Sequence, residues 1–436
     1  MSFTAAIFLV VYIAGLSLAL FRNPIYGLLA YLWTFYLFPP YQWWAAEVPE
    51  LRWSLWAALI TFAATLYHNR QDIGAWLKNW GVRILIAFAV WLWVQSSWAV
   101  NSSEHFKGCI LFTKYVALFY VINVNIRDYN SLFLFAGGHV AGCFILGWIA
   151  RGVRLVDGRL EGVGGPGISD ANTLGMHLTT GLVFAGFLFL GVRNIWKWAA
   201  FVAIPFILNG IILTGSRGAM LAMAGAGIMG VIMAPKSYRN KIFGAFALGA
   251  ILLGYLANDT FWQRLSLIQA DKKTGKYEAS AQSRFDLLNY GFEMFNDHPM
   301  GVGHGGHIAI SRNYIPNLRP GQKKAAHNTF MAVLVNHGLV GLIIFIALLC
   351  WVIWLARQSK RFFKISINQR YEMFFLMVSA SMVAWITGGQ FSNYLKAEVF
   401  IWLIAMLTSL NKMVKDDAVH LIVSLGGAPS DPGGRK

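Results

Sequence analysis

Ala326-His327-Asn328-Thr329-Phe330 closes a polar stretch and opens a long apolar one, which carries Gly338-Leu339-Val340-Gly341 and runs on to Leu355. From Thr329 to Leu355 there is no Asp, Glu, Lys or Arg. About 20 apolar residues suffice to cross the hydrocarbon core of a bilayer as a helix, so this run reads as a membrane span with a histidine where the chain re-enters lipid. The same pattern recurs along the chain. Apolar runs lie near 3–20, 25–45, 53–67, 84–100, 110–124 and 132–150, then near 173–191, 198–213, 218–234, 243–257, 371–387 and 399–410. The second is interrupted by Pro39-Pro40, which fits a broken helix or a re-entrant piece better than a clean span. The first lacks a basic segment ahead of it and a small-residue cleavage site, and reads as a retained helix.

Composition agrees. Of 436 residues, 57% are hydrophobic and only 13% charged, and the mean hydropathy is +0.53. The expected fold is all-α, a polytopic membrane protein of about 12–13 transmembrane helices. One membrane domain over residues 1–425, with one large outer loop at 258–326 and a disordered tail at 426–436, is the simplest organisation. Cys109, Cys143 and Cys350 all fall in apolar runs, where thiols act as small packing residues, and no disulfide framework is legible.

Charge sets the expected orientation. Arg70, Lys78 and Arg83 crowd one short connection, Arg193 and Lys197 another, and Lys236, Arg239 and Lys241 a third. A fourth holds Arg357, Lys360, Arg361, Lys364 and Arg370. The positive-inside rule makes these four cytoplasmic. The tail joins that side. By alternation 151–170, 215–217 and 258–326 face the other side, and the long loop is basic too, with Lys272, Lys273, Lys276, Arg312, Lys323 and Lys324. The net charge of +17 suits a rim attracted to anionic membrane lipids, with part of it left for an anionic ligand. No aromatic and basic platform suggests nucleic acid.

Three stretches carry chemistry. In Thr214-Gly215-Ser216-Arg217-Gly218 small residues permit close approach, Ser216 can cap the helix beginning at Arg217, and helix N–H groups and a guanidinium converge as they do at phosphate sites. Arg217 could equally snorkel at a membrane interface. In the outer loop, Ser283-Arg284 opens an amphipathic stretch to Phe295 that ends in His298-Pro299-Met300-Gly301-Val302-Gly303. Arg284 could also pair with Glu278 or Asp286. His327 sits at a helix N-terminus, where the dipole and nearby arginines oppose protonation and keep imidazole available as a base. On a continuous helix His337 would lie near 15 Å deeper, at about 1.5 Å per residue. His298, His304 and His307 match no common metal spacing, and histidines in a glycine-rich loop are expected to be solvated. No metal is expected, no cofactor either, and there is no D-x-D pair to hold Mg²⁺ on a diphosphate.

His327-Asn328, nine residues and then Gly338-x-x-Gly341 resemble the H-[NSQ]-x9-G-x-x-G signature of bacterial O-antigen ligases, within the O-antigen ligase and polymerase superfamily. Ser216-Arg217-Gly218 is similar to the family's first functional arginine segment, Ser283-Arg284 to its second. Gly164-Gly165-Pro166-Gly167-Ile168-Ser169-Asp170-Ala171-Asn172 looks like the branch found near exosortase genes. The resemblance spans about 164–355, and at His337 relatives often carry an acidic residue. It implies a metal-independent, inverting glycosyltransferase in the bacterial inner membrane with its site facing the periplasm. The donor would be a glycan on undecaprenyl diphosphate and the acceptor a lipid A-core sugar. Arg217, Arg284, Ser216 and Asn328 would bind substrate and diphosphate, His327 would be the catalytic base, and Gly338 and Gly341 would be structural. An O-antigen polymerase or a protein O-oligosaccharyltransferase would share these residues. From another class, a transporter is the rival, with Lys114, His139, His177, His337 and Glu372 as intramembrane ionisable groups.

Overall fold

In a computed structural model, residues 1–69, 73–257, 262, 279–316, 324–363 and 369–424 are described, without the side chains of 279–285 and 369–370. The tail at 426–436 and most of the lysine-rich part of the outer loop lie outside the described residues. Every apolar run falls on a helix. α1 (Phe3–Phe21), α2 (Ile25–Tyr36) and α3 (Trp53–His68) are followed by the short α4 (Ile73–Leu77), then by α5 (Trp80–Gln95), α6 (Ser102–Asn125) and α7 (Tyr129–Ile149). α8 (Ala171–Gly191), α9 (Trp196–Thr214), α10 (Arg217–Met233) and α11 (Lys236–Leu256) precede the outer loop, which holds α12 (Ala279–Asp297) and α13 (Gly306–Tyr314). α14 (Thr329–Phe363), α15 (Gln369–Gly389) and α16 (Val399–Ser424) complete the chain.

The fold is all-α and polytopic. Seven of the described helices, α1, α6 to α9, α14 and α15, are long and apolar enough to cross a membrane, and α5 and α10 are shorter apolar ones. α2 stops at Tyr36, and Pro39-Pro40 forms a short 3₁₀ turn, as the ring constraint on Pro dictates.

α16 is the hub. From Val399 to Leu410 every residue is buried, so this segment is apolar all round because protein surrounds it. α6, α14 and α15 pack on it, and α8, α9 and α10 build the neighbouring wall. α11 has one buried residue, Ile242, and lies at the periphery.

Hydrogen bonds fix which helix ends lie together. At one end His68 meets the carbonyl of Leu20, Asn69 bonds Asn125, and Asn411 donates to Ser359. At the other, Gly165 N–H donates to Phe35, Leu160 to Leu213 and Val100 to Val302. Helix direction then alternates, and the basic connections before α5, α9 and α11 and the basic end of α14 gather at the first end. Ser216, Arg217, His327 and Asn328 lie at the second.

Candidate active site

α9 ends at Gly215, which adopts a left-handed conformation (φ 56°) and closes the helix so that α10 can start two residues later. Ser216 caps α10, accepting from Ala219 N–H at 3.3 Å. Its hydroxyl donates to Asn172 Oδ1 at 3.1 Å. The same oxygen receives Arg159 Nη2 at 2.9 Å, while Arg159 Nε donates to the Thr214 carbonyl at 3.0 Å. The loop at 151–170 therefore braces the Ser-Arg-Gly turn from behind, and Arg217, half-buried, leads into α10 at its mouth.

Across the site, Asn328 caps α14 through Met331 N–H at 3.0 Å, and its amide donates to Gln390 Oε1 at 3.2 Å. Thr329 donates to the Ser392 carbonyl at 2.8 Å and accepts Tyr394 N–H at 2.9 Å. The Tyr394 hydroxyl reaches the Asn172 carbonyl at 3.3 Å. A chain of contacts thus runs from the His-Asn turn through Thr329, Tyr394 and Asn172 to Ser216. Two motifs more than a hundred residues apart share one scaffold, and exposed His327 stands on it.

α14 is not one helix. It breaks at Gly338, whose φ of 66° and ψ of −168° are open essentially to glycine alone. Into the break docks the turn at 298–303: Val302 N–H donates to Val335 O at 3.1 Å, Gly303 N–H to Asn336 O at 2.8 Å, and Leu339 N–H to Pro299 O at 3.0 Å. A Cβ on Gly338 would stand 2.4 Å from the Met300 carbonyl carbon, and one on Gly301 2.5 Å from Gly338 N. The expected continuous helix is thereby corrected. Gly338 permits a backbone-to-backbone contact, and Gly341, where a Cβ would stand 2.2 Å from His337 Cβ, lets the second half-helix pass His337.

A polar cluster seals the joint. Gln95 donates to the carbonyls of Met300 (3.0 Å) and Asn336 (3.2 Å), and accepts from His337 Nδ1 at 2.8 Å. Trp98 donates to Gly301 O at 3.0 Å and Trp91 to His337 O at 2.8 Å. His337 is the last residue of the first half-helix and fully buried. His304 and His307 are not solvated as expected: they are 3% and 5% exposed. Burial pushes His304 down to about 3 and His307 to about 4, with Lys396 adding to both, so both stay neutral at pH 7. Among the described residues no three His, Cys, Asp or Glu side chains are grouped to hold a metal.

Arg284 lies on α12, but its side chain is outside the described residues. The backbone of that helix is informative. Gly291 abuts Met331 and Pro299 meets Leu339, so α12 runs beside the first half of α14 in the same direction. Arg284, two turns before Gly291, stands at the outer end of that pair, beside the level of His327. Sequence reasoning missed Asn172, Arg159, Gln95, Asn336 and Tyr394. The family-like stretch ending at Asn172 was a signal, since a lone Asn opening a helix after a glycine-rich loop is well placed to bond a neighbouring turn. Glu398, which accepts from the Tyr31 hydroxyl at 2.7 Å below the site, gave no signal.

Fold and site together define a multi-pass α-helical membrane protein with a polar, arginine- and histidine-bearing centre at one end of the bundle. Residues 201–346, about a third of the chain, match the family model described as O-antigen ligase. That segment contains every motif residue of the centre from Ser216 to Gly341, and it is what is similar to that family. No curated protein matches the chain.

Proposed function

We propose that the protein is an O-antigen ligase, a metal-independent inverting glycosyltransferase of the bacterial inner membrane. It would move a glycan from undecaprenyl diphosphate to a lipid A-core sugar hydroxyl at the periplasmic face. The observation that carries this reading is the hydrogen-bonded scaffold joining the Ser216-Arg217 turn to the His327-Asn328 turn. It holds a guanidinium at a helix N-terminus and an imidazole on one floor, the two groups that glycosyl transfer from a diphosphate needs.

In the step, His327 takes the proton from the acceptor hydroxyl while that oxygen attacks the anomeric carbon. The bond from that carbon to the diphosphate oxygen breaks with its electron pair leaving on the diphosphate. Arg217 and Arg284 neutralise the charge that develops there, Ser216 and the first turn of α10 orient the phosphates, and Asn328 binds substrate beside the base. Attack opposite the leaving group inverts the anomeric configuration. Both lipid-linked substrates enter laterally from the outer leaflet.

With purified protein, lipid-linked donor and core acceptor, His327→Ala abolishes transfer and leaves donor binding largely intact, because the base acts on the acceptor. Arg217→Ala weakens both. Near-normal turnover by folded His327→Ala protein sinks the mechanism. The acceptor is decided in cells: a deletion strain that loses its long lipopolysaccharide ladder while lipid-linked polymer accumulates supports the ligase, whereas loss of the polymer itself supports a polymerase.

A further inference from the structure

His307 lies outside the machinery assigned so far. It opens α13 and is buried. Its backbone N–H and its Nδ1 both meet Asn336 Oδ1, at 3.1 and 2.9 Å. A backbone N–H can only donate, so that Asn336 atom is an acceptor and Nδ1 carries the hydrogen. Nε2 is then a lone pair. It receives Ala326 N–H at 3.1 Å, one residue before His327. Two backbone donors thus dictate a single neutral tautomer.

We infer that His307 is the positioning residue of His327: as acceptor for Ala326 N–H it pins the backbone of the base to Asn336, at the break in α14. This rests on the reading of His327 as general base. The base is then held on both flanks. Asn328, its other neighbour, is fixed by the cap on α14 and by Gln390. The residues just before α14 gain the rigidity of the half-helix 329–337 that they precede. A protonated His307 has no lone pair to offer, and its burial keeps it neutral.

The contact separates two kinds of replacement. Gln places its terminal oxygen where Nε2 stands and can still accept from Ala326. Asn reaches only the Nδ1 position and keeps Asn336 alone. The test measures kcat and donor KM together with hydrogen exchange of the peptide spanning 324–328, in detergent-purified full-length protein. His307→Asn is expected to lower kcat by about tenfold or more with donor KM nearly unchanged, misplacement by an ångström costing up to about a hundredfold, and the peptide exchanges faster. His307→Gln restores protection and most of kcat. Any folded variant at 307, including His307→Leu, whose 324–328 peptide loses protection while kcat stays at the wild-type value overturns the inference. Equal loss of kcat in the Gln and Asn variants, with protection retained in the Gln variant, overturns it as well. His327→Ala serves as the control. If it is active, the base assignment falls; if it is dead while kcat ignores protection at 324–328, only the positioning role falls.

Discussion

At the residue scale the question is what neutralises a departing diphosphate. Divalent ions and fixed cations are the two general solutions. The motif residues offer Arg217 at a helix N-terminus and Arg284 on α12. A planar guanidinium makes a two-point contact with phosphate oxygens that an ammonium cannot reproduce. Arg217→Lys is therefore expected to lower kcat/KM by roughly tenfold or more, on the scale of one lost preorganised donor. Transfer is expected to persist in excess chelator. Activity that is lost in chelator and returns with Mg²⁺ or Mn²⁺ would falsify the arginine account.

At the level of elements, the break in α14 decides the architecture of the site. Gly338 occupies backbone space closed to other residues, and the turn at 298–303 fills the volume where a side chain would go. Gly338→Ala combines backbone strain with a backbone clash and is expected to destabilise by on the order of 3 kcal/mol. Gly249→Ala in α11, where no atom lies within 4 Å of the added carbon, is expected to be neutral. Thermal unfolding of the two variants in detergent checks the contrast, and an equal melting temperature for both would show that the docked turn is not rigid.

These elements also show how far the sequence could be read. The apolar runs were legible because each helix must present lipid or core along its whole length. The Ser216 cap was legible because capping is local chemistry, whereas Asn328, expected only as a substrate-binding residue, proves to cap α14. The break was not, since both halves of α14 are equally apolar and the hydrogen bonds that replace the lost helical ones come from a turn about forty residues earlier. For the same reason His304 and His307 read as solvated loop residues: their burial is created by docking against Asn336 and His105, which no local pattern announces. Arg159, Asn172 and Tyr394 join three separate connections, so their roles exist only once the bundle is assembled.

For the whole molecule, hydrogen bonds at the two ends of the bundle turn a charge rule into a topology. α1 ends beside His68, at the end that collects Lys78, Arg83, Arg193, Lys197 and the basic start of α11, so α1 starts at the opposite end of the bundle, the end that also carries the candidate site. The positive-inside rule makes the basic end cytoplasmic. On the proposed reading the site would then face the periplasm, where a lipid-linked glycan and a lipid A-core sugar would meet. Single cysteines introduced at exposed positions read this out, because Cys109 and Cys143 are buried and Cys350 lies within apolar α14. Trp43→Cys and Arg154→Cys are expected to react with a membrane-impermeant maleimide in intact cells with a permeable outer membrane, and Arg193→Cys and Ser237→Cys only after the inner membrane is opened. The reverse pattern would place His327 in the cytoplasm, away from any lipid A-core acceptor displayed on the outer leaflet, and the ligase reading would fail with it.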